Sequence, residues 1–549
     1  MASERQDWHV RYPELFDREK RLLFGLGYQL DTTALASGLV HFIGRSMTDP
    51  RRTIVIRYPE GYPSFAPTVL SPLDNVPPLV RHHSVPDGNL CCFGFGKERW
   101  RADKTGLDAV QEAEALIAEY GGTVPIPEDD VVPEPRISAH NLHTADAAAI
   151  LIPEPFGDMG IEVLRRYTDA TLIVTKEQNS YRGVLSELKV GVQNVRASLP
   201  LLEHLQWMSK GQRRNVLFRV LDDSPPLFES FTDMKKWLSA AGLARALAPK
   251  GETWVLLVFP DEGRTRHEER PAWLGLLVTN GASGHTIRCY TVTGDDRLMR
   301  TPFGKALSNR RVVVVGCGSL GSFVAVALAQ EGVGYLALVD SDIHEPGNSV
   351  RHQVGIPSFG QSKAEALAKR IHSLIPSCRV RCILQSVGHL ERHGNDFYEA
   401  FGPADMIIDT TGSHATTHYL NRLCVELARP LLVVSVTNGA WSGEVFRYSP
   451  GQSGCWLCWY GSFGSVPPPG APQEDLIFAP GCSQLTFVGG VADIMTVAGL
   501  AVRMSTEYLT RGYVSGRDYV RWIGRVSEDG WGPSVTCHDV PKQDGCICG

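Results

Sequence analysis

The sequence lacks long runs of like charge, internal repeats and low-complexity segments. It also lacks a basic surplus, since 54 Lys and Arg stand against 60 Asp and Glu for a net charge of -6. A general nucleic-acid binder carries a positive stripe or patch, so no nucleic-acid partner is expected. The opening residues, MASERQDWHVRYPELFDREK, are polar and mixed in charge, without the apolar core of a secretory signal. Thirteen cysteines are an odd number in a chain of 549 residues, and nothing points to an oxidising compartment. A disulfide scaffold is therefore excluded and a cytoplasmic location expected, with the thiols left for packing, metal binding or thiolate chemistry. The most apolar stretch, VVVVGCGSLGSFVAVALAQEGVG from Val312, is long enough to suggest a membrane span. Its glycines fall where a strand would turn into a helix, so it reads as a buried strand and helix, and no membrane partner is expected.

What is present divides into segments. Hydrophobic residues at 43% and charged residues at 21% suit a folded chain, here of about three or four domains. Residues 1–122 read as α+β: RTIVIRY (52–58) is a strand, and TGLDAVQEAEALIAEY (105–120) has the apolar spacing of an amphipathic helix. The segment VPIPEDDVVPEP carries Pro125, Pro127, Pro133 and Pro135. Proline fixes φ and removes an amide donor, so residues 123–135 read as an extended linker. Residues 136–300 mix strands (ATLIVT, TWVLLVF, LGLLVT) with a helix around FTDMKKWLSAAGLARAL and hold no catalytic motif. They read as an α+β structural or docking domain. Over residues 301–549, RVVVVG, LALVD, MIIDT and LLVVSV are short apolar strands with helical stretches between some of them, the pattern of a mostly parallel sheet. The expected fold class is α/β multidomain, with a Rossmann-like C-terminal domain.

The chemistry concentrates at two places. The strand RVVVV runs into Gly316-Cys317-Gly318-Ser319-Leu320-Gly321, and a second strand ends at Asp340. In such a loop the first glycine makes the turn, the second lets amides approach phosphate and the third lets the helix pack on the strand. The helix N-terminus offers N–H groups to an anion, and the acid suits ribose hydroxyls. Asp342, Asn348, Arg351, Gln353 and Lys363 follow. Cations downstream of the ribose-binding strand suit a triphosphate that loses pyrophosphate, and they disfavour a dehydrogenase.

VVVVGCGSLGS, LVDSD, NSVR and GQSKAEALA together resemble the ubiquitin-activating enzymes and the bacterial sulfur-carrier adenylyltransferases. The resemblance implies ATP and Mg²⁺ as cofactors, with Asp340 at the ribose and Asn348, Arg351 and Lys363 at the phosphates. Gln353 falls one place later than that family's glutamine, because His352 intervenes. After the next strand the family often reads D-C-T-D-N, its later Asp serving Mg²⁺. This chain reads Asp409-Thr410-Thr411-Gly412-Ser413, which leaves Asp409 or Asp342 to the metal. Further on, APGCSQLTFVGGVADIMTVAGLAV maps Cys482 onto the family's thioester-forming position. A thiolate there is a strong nucleophile toward an acyl-adenylate.

Near the N-terminus, RYPEGYPSFAPTVL and RHHSVPDGNLCCFGFGKERW resemble ubiquitin-conjugating enzymes. Tyr62-Pro63, Phe65 and Pro67 match the Y-P-x-x-P strand ending, Gly88-Asn89-Leu90-Cys91 the G-x-(I/L)-C active-site motif, and Trp100 the tryptophan that follows. The glycine spacing favours Cys91 as the acyl carrier and the Trp100 spacing favours Cys92; Cys91 is preferred. The family's His-Pro-Asn is replaced by His82-His83-Ser84, which removes its oxyanion asparagine.

Cys455-Trp456-Leu457-Cys458 and Cys546-Ile547-Cys548 offer four thiolates to a structural Zn²⁺, with Cys537 or His538 as stand-ins for one ligand. The order of conjugating, middle and activating segments resembles the fusion proteins of bacterial CBASS anti-phage operons. That resemblance implies a partner with a free C-terminal glycine, a cGAS-like nucleotidyltransferase or a ubiquitin-like protein. It also implies a target amine, and a homodimer formed through the activating domain. Two rival readings stay open: an adenylyltransferase for sulfur transfer to a small carrier protein, and a non-catalytic adaptor with degenerate sites.

Overall fold

A computed structural model describes residues 7–72, 76–82, 88–93, 100–121, 128, 133–139, 148–177, 180–197, 208, 210–228, 230–263, 265–292, 300–388, 394–464, 468, 477–478, 485–486, 488–527 and 530–549. The chain divides into two compact units, Met1–Arg196 with Lys210–Tyr290, and Ala197–Ser209 with Thr291–Gly549. Among the described residues no helix is long and apolar enough to cross a membrane.

The first unit holds two sheets. Strands β1 (Gln29–Leu30), β2 (Val40–Arg45), β3 (Thr53–Tyr58), β4 (Thr68–Leu70) and β5 (Asn89–Leu90) form an antiparallel meander in sequence order. In β3 the apolar residues Ile54, Ile56 and Tyr58 alternate inward, as a half-buried strand requires. They pack with Leu23 of the helix Pro13–Gly25 and with Ala109, Val110, Ala113 and Ile117 of the helix Gly106–Tyr120. The second helix starts on a capping box, Thr105 with Asp108. Glu19 joins these pieces. It is fully buried and accepts hydrogen bonds from the Tyr58 hydroxyl (2.8 Å), the Tyr62 hydroxyl (2.7 Å) and the Gly106 amide (2.7 Å). A Cβ on Gly106 would lie 2.1 Å from the Tyr58 hydroxyl, so only glycine fits beside this buried acid.

The other sheet of this unit runs β6 (Ala148–Ile152), β13 (Ser283–Thr291), β12 (Glu269–Thr279), β11 (Glu252–Glu262), β10 (Gln212–Val220), β7 (Asp169–Glu177), β8 (Ser180–Val190) and β9 (Gln193–Arg196). Strand β6 also pairs in parallel with β8, which brings the sheet round on itself. The helix Phe231–Ala240 covers the β11–β12 pair with Met234 and Leu238.

In the second unit the sheet order is β16 (Arg379–Ile383), β15 (Tyr335–Val339), β14 (Arg311–Val315), β17 (Met406–Asp409), β18 (Leu431–Val436), β19 (Ser442–Tyr448), β22 (Tyr519–Ser527) and β23 (Gly530–His538). A small antiparallel pair, β20 (Ile477–Phe478) with β21 (Leu485–Thr486), stands apart from it. The first five strands are parallel, and β19, β22 and β23 extend the sheet antiparallel. The valine run of β14 is buried on both faces, the usual state of a parallel strand covered by helices. The chain moves from β14 outward to β15 and β16, then returns to place β17 on the other side of β14. That reversal opens a crevice at the carboxyl ends of β14, β15 and β17, where open α/β sheets bind their ligands.

Candidate active site

A cavity of about 310 Å³ occupies this crevice. Its walls are Gly316, Gly318, Asp340, Asp342 and Lys363, together with Gln385, Ser386 and Val387 after β16 and Thr410, Thr411 and Thr416 after β17. The three glycines of the loop have different surroundings. Gly316 has φ +87, which only glycine adopts without strain. A Cβ on Gly321 would lie 1.8 Å from the Gly316 carbonyl oxygen, so the helix Ser319–Glu331 sits this close only without a side chain there. At Gly318 a Cβ would meet nothing within 4 Å, which leaves that edge of the loop open to the cavity.

Asp340 fastens the loop. Its carboxylate accepts the Cys317 amide at 2.6 Å and the Asp342 amide at 2.7 Å. Burial pushes its carboxyl up, against the pull of those two N–H groups and of Lys363. Lys363 begins the helix Lys363–Leu374, which Ser362 caps, and its ammonium bonds Asp342 at 2.9 Å. The helix N-terminus thus brings a cation and its own dipole to the same wall.

Other residues singled out in the sequence lie elsewhere. Asn348 and Arg351 stand on the 3₁₀ helix Pro346–Arg351 and do not line the cavity; Asn348 accepts the Glu345 amide. Asp409 is buried at the end of β17. Its Oδ1 accepts the Thr411 amide and hydroxyl and its Oδ2 accepts the Thr417 hydroxyl. Burial pushes its carboxyl up, against those three bonds. Gly412 has φ +66, so the chain leaves β17 through a left-handed turn.

His352, which in the sequence only displaced Gln353, packs against the glycine loop. Its Nε2 donates to the Cys317 carbonyl at 2.6 Å, because Nδ1 accepts the Val354 amide at 3.1 Å. Burial is the main reason its ring is held down to about 4. His344, also buried, stands edge-on to it with ring centroids 5.0 Å apart. Gln385, Ser386, Val387 and Thr416 escaped the sequence reading, and Thr410 and Thr411 were given no role in it. Their signal was positional, namely the residues that follow each parallel strand.

In the first unit, Cys91 follows β5 and is exposed, whereas Cys92 is only 3% exposed. Trp100 donates its indole N–H to the Pro63 carbonyl at 2.7 Å, joining two of the segments singled out in the sequence. His83 and Ser84 lie outside the described residues, as does Cys482 with the segment around it, and as does most of the proline-rich stretch 123–135.

The sulfur atoms of Cys455, Cys458, Cys546 and Cys548 all lie within 4.8 Å of one another. The Cys455–Cys546 and Cys458–Cys548 pairs are 3.4 and 3.6 Å apart. Tetrahedral zinc with bonds of about 2.3 Å sets its sulfurs about 3.8 Å apart, so the four thiolates fit a structural Zn²⁺. Asn421 Nδ2 and the Gln543 amide point N–H groups at Cys455 and Cys458, as partners of thiolates should. The C-x-C of the tail supplies two of the four sulfurs of this cluster. Cys537 is exposed and His538 stacks on Tyr519, both outside the cluster.

The second unit is thus an α/β domain with a glycine loop and a helix-borne lysine at its switch-point cavity. Residues 296–509 match the model of the ThiF family. An uncharacterized protein of Sinorhizobium fredii, y4oA, is 31% identical over 280 residues, which are 48% of this chain and 47% of that protein. The ATP-dependent ubiquitin transferase-like protein Cap2 of Pseudomonas aeruginosa is 27% identical over 233 residues, 40% of either chain. The matches thus span less than half the length of these relatives. Among solved structures, E. coli MccB with ATP aligns at a TM-score of 0.35 and 19% identity, over 45% of this chain and 68% of that one, a score too low to argue from.

Proposed function

We propose that the chain activates the C-terminal carboxylate of a partner protein with ATP and passes the acyl group along two of its own cysteines to an amine. The observation that carries this reading is the switch-point cavity, with the open edge of the glycine loop at Gly318 opposite Asp340 and Lys363. The partner's carboxylate oxygen bonds to the α-phosphorus of ATP, and the bond from that phosphorus to the bridging oxygen of pyrophosphate breaks. Pyrophosphate leaves with the electron pair, and Lys363 offsets the charge that develops. Magnesium, where bound with ATP, would supply further neutralisation there. Asp342 is the residue suited to hold it, since it is exposed while both oxygens of Asp409 are engaged.

The Cys482 thiolate then attacks the acyl carbon and AMP leaves. The Cys91 thiolate attacks the resulting thioester and Cys482 departs as thiolate. Last, an amine nitrogen attacks the Cys91 thioester, the sulfur leaves and the nitrogen loses a proton to solvent. The exposure of Cys91 supports its place in this sequence, and the likeness to the ATP-dependent ubiquitin transferase-like protein Cap2 supports a protein partner. That partner is a cGAS-like nucleotidyltransferase or ubiquitin-like protein with a free C-terminal glycine, and the activating domain would pair as a homodimer.

The test is ATP–pyrophosphate exchange and thioester capture with candidate partners. Cys482→Ala should keep pyrophosphate exchange and lose all conjugates, while Cys91→Ala should accumulate a DTT-sensitive adduct on Cys482. A DTT-sensitive adduct on Cys91 in the Cys482→Ala protein would reverse the proposed order. A full-length chain without any exchange activity would make it an adaptor.

A further inference from the structure

The exposed Cys91 is joined by hydrogen bonds to the far sheet of its own unit. The Cys91 amide donates to the His82 carbonyl at 2.9 Å. The His82 amide donates to both carboxylate oxygens of Glu134, at 2.8 and 3.0 Å. The Glu134 amide donates in turn to Glu262 at 2.7 Å, at the end of β11. Arg81, beside His82, places two guanidinium N–H groups on the same Glu262 carboxylate, at 2.9 and 3.3 Å. Its Nε stands 3.9 Å from Glu134, and its side chain is only 4% exposed. Next to Glu262, Asp261 accepts the Arg136 and Ile137 amides at 2.8 and 2.9 Å, so residues 134–137 are laid along the end of β11.

Plain docking between sheets would need none of these bonds to reach residue 82. Here Glu134 accepts from the amide of the residue whose carbonyl holds the Cys91 amide. His82 has φ +58, a left-handed conformation that strains a residue with a side chain and persists where the surroundings hold it. The bidentate bond from Glu134 is such a hold. A buried arginine also needs a charge partner to be tolerated, and the two-pronged bond to Glu262 holds Arg81 and with it the start of the turn.

We propose that Glu134 and Arg81 are positioning residues through which Glu262, on the middle sheet, fixes the backbone at Cys91 for acyl transfer. The proposal rests on the reading of Cys91 as an acyl carrier. It gives the middle segment a part in the chemistry without a catalytic residue of its own. Glu134 acts through a backbone amide and a carbonyl and touches no reacting atom.

The full-length chain allows a test that needs no knowledge of the natural partner. Iodoacetamide labelling, read by mass spectrometry, compares Cys92 in the wild type with Cys92 in Glu134→Ala, Glu134→Gln and Arg81→Lys. Cys92 is buried and sits one residue beyond the held amide, so opening of the strand end should expose it. Glu134→Ala should raise Cys92 labelling about tenfold, by local opening. Glu134→Gln keeps one acceptor oxygen and should restore most of the protection. Arg81→Lys loses the two-pronged bond and should raise labelling about threefold; it decides the matter if Glu134→Ala does not fold. Transfer from a synthetic glycine-ending peptide thioester to Cys91 should slow by about fivefold in Glu134→Ala and recover in Glu134→Gln. Wild-type labelling of Cys92 in both Glu134→Ala and Arg81→Lys would overturn the proposal. Failure of the wild-type Cys91 to accept the peptide would instead overturn the acyl-carrier reading, while the labelling comparison still decides the hold on the backbone.

Discussion

His352 is the residue where acid should act first. Its Nδ1 accepts an amide N–H, which only a neutral ring can do, and its proton on Nε2 ties residue 352 to the glycine loop. The unfolded chain takes up a proton near the ordinary 6.5, whereas the folded ring waits until about 4. Between those values the unfolded state binds more protons. The contribution is therefore complete above pH 6.5 and is lost as pH falls toward 4, by up to about 3 kcal/mol. His344, held down by burial, adds in the same sense. Asp340 and Asp409, pushed up by burial, act in the opposite sense, so the comparison must isolate the histidine. His352→Gln should lower the midpoint of the ATP-shifted melting transition at pH 7.5, and the gap to wild type should close by pH 4.5. A gap that does not change with pH would show that His352 contributes by packing alone. The glycine loop, Asp340 and Lys363 were legible in the sequence because their chemistry is local and the spacing marks it. His352 was not, since its partner lies 35 residues away and a lone histidine carries no mark of burial. Glu19 was hidden for the same reason: an acid on an amphipathic helix looks solvated until three donors close around it.

At the scale of elements, the strands and helices of the parallel sheet followed from β-branched runs and helical periods. The antiparallel extension through β19, β22 and β23 did not, because strands of mixed polarity such as SGEVFRY and YVRWIGRVS resemble loops in sequence. That extension gives the tail its destination. The chain leaves β23 at His538, and Cys546 and Cys548 close on the pair at the start of the helix Trp456–Phe463. Two segments some 90 residues apart are joined there by thiolates, with Val540 and the partly buried cysteines packed on the same core. A metal that joins such segments stabilises the fold directly. The purified chain should therefore carry zinc in a one-to-one ratio by elemental analysis. Removal with 1,10-phenanthroline should destabilise the ATP-shifted transition by on the order of 5 kcal/mol. Cys548→Ser should reproduce that loss without chelator and leave Cys91 labelling unchanged. A chain purified without reductant that holds no zinc and melts the same with or without chelator would make the four cysteines a reduced packing cluster.

For the whole molecule, the question is whether one chain serves itself. The proposed relay needs the acyl group to leave the unit that holds the glycine loop and arrive at Cys91 in the other compact unit of the same polypeptide. Two sites on one chain meet at an effective concentration of about 1 mM, set by the tether and independent of dilution. Two separate chains at about 1 µM meet roughly a thousandfold less often. Mixing full-length Cys91→Ala with full-length Cys482→Ala isolates the second route, since each chain lacks one carrier and keeps its fold. At about 1 µM of each, the mixture should form conjugate at roughly a thousandth of the wild-type rate, and that rate should grow in proportion to concentration. Recovery near the wild-type rate, insensitive to dilution, would mean that the acyl group crosses between protomers of a stable dimer. In that case the fusion of the two modules would serve to fix their stoichiometry, and the tether would have no part in the transfer.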